Sequence, residues 1–459
     1  MKKTVVINVV GLSPRLIGEH TPFIKSFMDS GTLATVTPVV PAVTCTAQST
    51  YLTGTRPATH GIVGNGWYFK DECEVKFWRQ SNKLVTAPKL WEQLKSEDPE
   101  FTCANHFWWY NMYSTVDFSV TPRPNYLADG RKIPDVYSHP ADLRTRLQNE
   151  LGTFPLFNFW GPKTSIASSR WIADAAMLTD TWHDPTLTLI YLPHLDYNIQ
   201  RHGVDFKIIA KDLNEIDEVV EGLVTYYREK ETQVVLLSEY GITDVDRPVH
   251  LNRVFREQGW LATRVERGLE LLDCGASQAF AVADHQLAHI YLNDRSIMDE
   301  VIAVLQATPG VEQVWTASEL VEQGLAHSRS GDIVVVSDNH SWFTYYFWTD
   351  DAKAPDYARM VDIHKKPGYD PVEMFVDPKD PFVMPKILWK LLKKKMGFRT
   401  VMDVIPLQAE LVKGSHGRIP DSTEDYPVFM TDVKDILESE CIEATEVFSN
   451  LLRILNRPT

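Results

Sequence analysis

Residues 38–66 read PVVPAVTCTAQSTYLTGTRPATHGIVGNG, and they decide how the rest of the chain is interpreted. Thr44 follows a proline-bounded loop and begins a predicted helix over CTAQSTYL that ends at Gly54, a residue suited to the left-handed position after a helix. Unpaired amide groups at a helix N-terminus attract phosphate or sulfate. The Thr44 hydroxyl could act there as a nucleophile once a base removes its proton. Its alternative role is that of a helix N-cap.

Several positions of this stretch resemble the nucleophile segment of the type I phosphodiesterase/nucleotide pyrophosphatase family, in the alkaline phosphatase superfamily. The matching residues are Pro38, Pro41, Thr44, Thr53, Gly54, Pro57, His60, Gly61, Ile62 and Asn65. Matches in register over such a length are more specific than a lone short motif. The resemblance implies an alkaline-phosphatase-like α/β fold with Thr44 at the nucleophile position.

Composition is that of a soluble globular protein. The chain has 459 residues, of which 44% are hydrophobic and 23% charged, and its formal net charge is −15. The densest basic stretch, residues 390–395, predicts one amphipathic helix with a solvated basic face; a membrane-touching or nucleic-acid helix is the alternative. We therefore expect no extended nucleic-acid binding.

Five cysteines are scattered along the chain without metal-type pairing. An odd, scattered set favours reduced thiols and hence a cytoplasmic protein. The N-terminal run MKKTVVINVVGLSP is too short for a signal peptide and predicts a first strand. No segment approaches the ~20 apolar residues that a membrane span needs.

Short β-branched runs alternate with amphipathic helical stretches, which predicts a mostly parallel central sheet flanked by helices. Predicted strands cover residues 4–10, 186–192, 233–238, 288–293 and 332–337, and predicted helices cover 208–230 and 296–310. We expect a main α/β core over 1–250, a small inserted βαβ-like, α+β subdomain over 251–345, and a return to the core over 346–459. Residues 430–459 predict a helix that packs on the body or joins two subunits.

Residues 66–165 are unusually aromatic, with the runs GWYFKDECEVKFWRQSN, HFWWYNMY and FPLFNFWGP. They predict either part of the core or a substrate wall. In the second interpretation, polar atoms would come from Arg79, Gln80, Asn105, Asn111 and Asn158.

The resemblance also implies two zinc-type ions beyond the carboxyl ends of the strands. One would be held by an Asp, a His four residues later and a distant His. The other would be held by the Asp that ends strand one, the Thr and an adjacent Asp-His pair. Paired ions of this kind can clamp the attacking and the leaving oxygens.

This chain retains only part of that ligand set. Asp196 follows the strand 186–192, Glu239 follows the strand 233–238, and His416 lies in GSHG near the C-terminus. His202, two places beyond the expected histidine, could add a nitrogen. We predict a divalent-metal site from these four residues, although the site is incomplete.

Three positions have lost their ligands. Val10 stands where the resemblance implies an Asp, and Gln200 and Tyr240 stand where it implies histidines. A full two-zinc centre is therefore not expected. The chain could bind one metal, could have lost metal chemistry, or could have rebuilt a site from other residues. Residues available for such a site are Asp244, Asp246, His250, His285, His289, His340 and His364.

The predicted function is hydrolysis or transfer of a phosphoryl group from a phosphodiester, a nucleotide-linked ester or another phosphorylated small molecule. Thr44 would attack, and Gln48, Asn65, Tyr240, Gln200 and Arg418 would line the substrate site. One alternative is a non-catalytic anion-binding protein of a biosynthetic assembly. Another is a metal-independent enzyme acting on a cyclic polyol or sugar phosphate. A homodimer remains possible.

Overall fold

The computed structural model describes residues 1–128 and 131–456. In chain order, the strands β1 to β23 are Thr4–Val9, Thr32–Thr37, Gly66–Phe69, Glu74–Phe77, Cys103–His106, Phe118–Pro122, Asn125–Tyr126, Lys132–Ile133, Val136–His139, Leu187–Leu192, Gln233–Leu237, Thr243–Asp244, Arg247–Val249, Thr263–Glu266, Leu269–Leu272, Ala279–Asp284, Leu287–Leu292, Val311–Trp315, Ile333–Ser337, Ser341–Phe343, Gly414–Ser415, Val428–Thr431 and Cys441–Glu443. The helices α1 to α14 are Pro22–Ser30, Thr44–Thr53, Pro57–His60, Leu90–Glu97, Ala141–Leu151, Leu156–Phe159, Ile166–His183, His194–His202, Phe206–Glu229, Leu251–Glu257, Met298–Ala307, Ala317–Glu322, Val383–Lys395 and Glu446–Leu455.

A nine-stranded sheet in the order β23-β2-β22-β11-β1-β10-β5-β6-β9 forms the centre of the molecule. The strands from β11 to β6 pair in parallel with their neighbours, whereas β22 and β9 run antiparallel to theirs. Every residue of β1 is buried, as expected for a strand that is covered on both faces. The predicted α/β fold with a mostly parallel sheet is confirmed.

The longest helix, α9, shows how the flanking layer forms. Its apolar residues recur at helical spacing, and Ile209, Leu213, Ile216 and Val220 are buried. Each such side chain contributes about 1.5–3 kcal/mol on burial. α9 packs on α7, α8 and α1 and so holds the helices that follow β10 against the sheet.

A smaller sheet, in the order β16-β17-β19-β18, lies in the second half of the chain. All its neighbouring strands pair antiparallel. It is therefore an α+β unit. β17 and β18 are both antiparallel to β19 and so run parallel to each other; α11 connects them in the chain, and β19 lies between them in the sheet. The bounds 251–345 stay a prediction.

Adjacent strands β10, β1 and β11 run parallel, so their carboxyl ends meet at one edge of the central sheet. Val10 follows β1, Asp196 lies just beyond β10, and Glu239 and Tyr240 follow β11. An isolated bridge between Gly11 and Gly241 keeps two of these loops together. This edge positions the candidate site. Across the described part of the chain, none of the helices combines the length and the hydropathy that crossing a bilayer requires.

Candidate active site

Thr44 is the first residue of α2, and Gly54 follows the last one with a left-handed φ of 63°, as predicted. The Thr44 side chain is nearly buried, with 3% exposed. Its Oγ1 lies 3.1 Å from the hydroxyl oxygen of Tyr240. The hydroxyl thus faces the carboxyl edge of the sheet, beside the amide groups of the first helical turn, which no helix carbonyl can reach.

A chain of hydrogen bonds continues from Tyr240. Its hydroxyl donates to Asp196 Oδ1 at 3.2 Å. Asp196 Oδ2 accepts a bond of 2.8 Å from Gln200 Nε2, and Gln200 Oε1 accepts one of 3.0 Å from the Tyr369 hydroxyl. Both oxygens of Asp196 are therefore satisfied by neutral donors of the protein.

Glu239 is held in the same manner. Its Oε1 accepts hydrogen bonds from Asn8 Nδ2, at 2.5 Å, and from Gln48 Nε2. Gln48 is oriented in turn by the backbone N–H of Trp109, which donates to its Oε1 at 2.6 Å. Glu239 Oε2 is buried and has no hydrogen-bond partner among the residues that the structure describes.

Four aromatic and imidazole rings lie one after another beside the hydrogen-bonded residues. The ring centroids of Tyr240 and His416 lie 3.6 Å apart, those of His416 and His285 3.7 Å, and those of His285 and Tyr369 3.6 Å. His416 Nδ1 is bonded to the Ala42 carbonyl at 2.7 Å. That bond leaves Nε2 as the acceptor nitrogen, and it is buried without a partner.

Burial makes the site close to neutral at pH 7. It raises the pKa of the Asp196 carboxyl to about 7 and that of Glu239 to about 8, and hydrogen bonds from Gln200 and Gln48 only partly oppose these shifts. It also lowers the pKa of His416 to about 3, so this imidazole is uncharged. Carboxyls with such values can take up or release a proton near physiological pH.

Three predicted site residues lie apart from this group or are engaged elsewhere. Asn65 Oδ1 accepts from the Cys45 N–H at 3.0 Å, and Asn65 Nδ2 donates to Asp284 Oδ1 at 3.1 Å. Arg418 pairs with Glu312 and Asp421, at 2.8 and 3.1 Å. His202 is exposed at the end of α8, six residues and about 240° around the helix from Asp196. The structure does not bring His202 to the predicted ligands.

Aromatic side chains adjoin the hydrogen-bond chain. Trp78 lies 4.9 Å from Trp109 and 6.1 Å from Tyr369, measured between ring centroids, and Trp160 lies 5.8 Å from Tyr369. The three tryptophans are half-buried. Of the amides predicted to line such a wall, Asn111 instead donates to two backbone carbonyls and holds a loop in place.

The residues present do not fit the two-ion centre that the sequence resemblance implies. Tyr240 places its hydroxyl between Thr44 and Asp196, where the second ion would need an imidazole. Gln200 gives its N–H to Asp196 and not a lone pair to a cation. Among the predicted ligands, Asp196 and His416 lie together, 3.8 Å apart.

Elsewhere among the described residues, His194, Asp212 and Glu215 bring ligand-type atoms within 4.8 Å of one another. His194 Nε2 lies 3.3 Å from a carboxylate oxygen of each acid. The cluster brings α8 and α9 together, since Asp212 and Glu215 belong to α9. His194 thus points away from Asp196.

Sequence reasoning missed two members of the site. Asn8 was overlooked because it lies within a strand, although one polar residue in the apolar run TVVINVV is a usable signal. Tyr369 lies in GYD, a segment with no motif of its own. His285 had been considered only as a residue from which a metal site could be rebuilt.

The chain is similar to known phosphodiesterases in sequence. The family described as "Type I phosphodiesterase / nucleotide pyrophosphatase" matches residues 4–370. Ectonucleotide pyrophosphatase/phosphodiesterase 2 of Saccharomyces cerevisiae is 26% identical over 266 residues, covering 53% of this chain and 48% of that protein. Phosphodiesterase 1 of the same organism is also 26% identical, over 53% of this chain and 34% of its own length. The chain thus spans half or less of these curated relatives.

Solved structures show the same fold. Murine ectonucleotide pyrophosphatase/phosphodiesterase 5, in an inactive form in complex with AMP, matches 99% of this chain and 95% of its own with a TM-score of 0.60 and 16% identity. Phosphonoacetate hydrolase from Sinorhizobium meliloti 1021, in complex with phosphonoacetate, matches 97% of this chain and 94% of its own with a TM-score of 0.62 and 15% identity. The alkaline-phosphatase-like fold is confirmed.

Proposed function

Because this chain belongs to the type I phosphodiesterase/nucleotide pyrophosphatase family, we propose that it hydrolyses or transfers phosphoryl groups of phosphate esters with Thr44 as the nucleophile. The observation that carries the proposal is the run of contacts from Thr44 Oγ1 to the Tyr240 hydroxyl and on to Asp196 Oδ1, at 3.1 and 3.2 Å. It links a nucleophile at a helix N-terminus to a carboxyl that can accept its proton.

In the first step, Thr44 Oγ1 forms a bond to phosphorus while the bond to the ester oxygen breaks. The Thr44 proton passes to the Tyr240 oxygen as the Tyr240 proton passes to Asp196. The ester oxygen takes a proton from solvent and leaves as an alcohol, while Asp196 keeps the proton that Thr44 released. Water then attacks phosphorus and gives a proton to solvent, the bond from phosphorus to Thr44 Oγ1 breaks, and the proton on Asp196 returns through Tyr240 to Thr44.

The near-neutral site favours a phosphodiester, with its single negative charge, over a doubly charged monoester. Uncharged donors and raised carboxyl pKa values, about 7 at Asp196 and about 8 at Glu239, limit the repulsion of an anion but supply no full positive charge. The half-buried rings of Trp78, Trp109 and Trp160 suit a planar or cyclic group on the ester. We propose a nucleotide-linked or ring-bearing phosphodiester.

The remaining expectations belong to this proposal. A single zinc-type ion bound by Asp196 and His416, with Glu239 as a further ligand, is the alternative to this metal-free relay; His202 is exposed at the end of α8 and is not among its ligands. All five cysteines are unpaired, which supports the proposed cytoplasmic location. A homodimer stays a prediction.

A second candidate is a non-catalytic protein that binds an anion in the same cleft. The observation that favours it is Asn65, whose Oδ1 accepts from the Cys45 N–H and whose Nδ2 donates to Asp284, so that only one of its two N–H groups is left for a phosphate oxygen. This candidate predicts binding of phosphate esters without turnover.

The test is turnover of a panel of 4-nitrophenyl phosphate and phosphonate mono- and diesters. We expect Thr44→Ala to lower kcat by at least about 10³-fold and Thr44→Ser to retain part of it. The control Thr55→Ala, just beyond the other end of α2, keeps wild-type rates. Equal rates for wild type and Thr44→Ala would contradict the nucleophile, and binding without turnover would favour the second candidate.

A further inference from the structure

Helix α13 differs from the other long helices because none of its side chains is buried. Its large apolar residues stand open to solvent: Met384 is 57% exposed, Leu388 63%, Trp389 54%, Leu392 47% and Met396 52%. Phe382 and Phe398, which flank the helix, are 66% and 61% exposed. A contiguous exposed apolar surface of this kind marks an interaction site.

Most apolar and basic residues of α13 lie on different sides of the helix. At about 100° per residue, Leu391, Met384, Leu388 and Leu392 fall within an arc of about 100°. Four lysines fall within another arc of about the same width on the opposite side of the helix; they are Lys386, Lys390, Lys393 and Lys394. The fifth, Lys395, falls within the apolar arc, so this face also carries a basic side chain.

Part of the lysine arc faces the protein body, and the apolar arc faces away from it. Lys390 is only 22% exposed and pairs with Asp403, and its Nζ donates to the Val401 carbonyl at 2.9 Å. Val383, within this arc, and Ile387, beside it, are half-buried, whereas Lys386 and Lys394 are exposed. The outermost surface of this part of the molecule is therefore apolar.

A second element extends the same surface. In the β7–β8 hairpin, Tyr126 is 54% exposed, Leu127 37% and Ile133 39%. Arg399, in the loop after α13, donates from Nη2 to the Ala128 carbonyl at 2.6 Å and brings the hairpin against this loop. The hairpin therefore adjoins the loop that follows α13 and exposes apolar residues of its own.

Charge identifies the partner. Residues 382–401 contain five lysines, one arginine and no acidic residue, in a chain whose formal net charge is −15. An apolar face that carries Trp, Leu and Met, flanked by lysines, is the composition of helices that lie in the interface of an anionic bilayer. We propose that α13 and the β7–β8 hairpin dock the protein on a membrane surface rich in anionic lipid.

The same geometry argues against two other partners. Nucleic acid would leave the apolar arc, the outermost surface here, exposed to water. Two copies joined through α13 would bring two clusters of lysines together, which costs free energy at low ionic strength. In the docked arrangement the apolar arc enters the acyl boundary, and the lysine side chains extend to the headgroups.

The experiment is flotation of the full chain with vesicles of phosphatidylcholine alone or mixed with phosphatidylglycerol. We expect binding to the mixed vesicles, little to the neutral ones, and release at about 0.5 M salt. Leu388→Glu with Trp389→Glu should weaken binding more than tenfold. Each of Lys393→Gln and Lys394→Gln should weaken it about fivefold.

Val265→Glu is the matched control, because Val265 is 65% exposed on a different hairpin; it should bind as wild type does. Thermal unfolding shows that each variant is folded. Failure of the wild type to float with anionic vesicles would overturn the proposal. So would a stable dimer that dissociates in the Leu388→Glu/Trp389→Glu variant, because the apolar arc would then belong to a second copy.

Discussion

At the scale of single residues, the site is defined by the side chains that occupy the places of charged ligands. Tyr240 lies between Thr44 and Asp196, and Gln200 donates to the same carboxyl. Asn8 and Gln48 do the same for Glu239. Where the family resemblance implies a metal ligand or a cation, this chain has a neutral hydrogen-bond donor. Mutating these donors should therefore change the rate of proton transfer.

The relay predicts the effect of Tyr240→Phe. Without the hydroxyl, Thr44 has no path to Asp196, so kcat for phosphodiesters should fall about 10²-fold. Tyr51→Phe is the control, since the Tyr51 hydroxyl donates to the Ser238 carbonyl and not to the relay. Steady-state kinetics on both variants gives the answer. Wild-type kcat in Tyr240→Phe would show that Asp196 does not act through this ring.

Asp284 predicts how stability depends on pH. Burial raises the pKa of its carboxyl from 3.8 to about 7, although hydrogen bonds from Asn65 oppose the shift. Between these values the folded chain holds a proton that the unfolded chain has released. The free energy of unfolding should therefore fall as the pH rises from about 4 to about 7.

Asp284→Asn removes this contribution, so the slope of unfolding free energy against pH should flatten by up to about 1.4 kcal/mol per pH unit. Urea unfolding at several pH values measures the slope. Asp71→Asn, at an exposed turn, should keep the wild-type slope. An unchanged slope in Asp284→Asn would mean that this carboxyl is ionised in the folded chain.

At the scale of elements, α2 depends on how its end is packed. Gly54 has a φ of 63°, and a Cβ there would lie 3.0 Å from the ring of Phe448 in α14. Gly54 thus forms the turn after α2 and also contacts the C-terminal helix α14. The position of Thr44 at the start of α2 depends on this packing at the end of α2.

Gly54→Ala should lower the free energy of unfolding by about 1–2 kcal/mol, because of the left-handed backbone and the contact with Phe448. Gly222→Ala is the matched control. Gly222 lies in α9 with open space around its Cα, so alanine should stabilise the chain there by about 0.5–1 kcal/mol. Chemical unfolding of both variants tests this; equal effects would contradict the role assigned to Gly54.

Helices and strands were predictable from sequence where their hydrophobic residues recur at a regular, short spacing. The buried run TVVINV and the long helix α9 follow directly from their patterns, and the Thr44 helix ends at Gly54 as expected. The antiparallel pairing of β16 to β19 was not predictable, since the order of helices and strands does not fix strand direction. Tyr369 joins the site from a segment without a pattern, through a contact 169 residues away in sequence.

At the scale of the whole molecule, parallel strands bring distant segments to one edge, and the resulting site is stabilised by protein donors. Asp196 and Glu239 accept hydrogen bonds from side chains of four segments: Asn8 in β1, Gln48 in α2, Gln200 in α8 and Tyr240 after β11. The positions of the lost ligands were readable from sequence. The hydrogen-bond network that replaces these ligands could not be predicted from sequence, because it depends on the directions in which the side chains point.

This network predicts that removing divalent ions leaves the fold unaffected. Exhaustive chelation should not change the midpoint of thermal unfolding, and added Zn²⁺ should not raise it, since a ligand stabilises only the state that binds it. Calorimetry of wild type and His416→Ala tests this. A Zn²⁺-dependent rise in the wild type that is absent in His416→Ala would establish a metal at Asp196 and His416.

The most direct measurement is mass spectrometry of chelated protein that has been quenched with acid during turnover of a phosphodiester. We predict that the peptide containing Thr44 gains the mass of the transferred phosphoryl group, that Tyr240→Phe slows its appearance, and that Thr44→Ala abolishes it. Turnover without any modification at Thr44, or modification that requires stoichiometric divalent ions, would contradict the account.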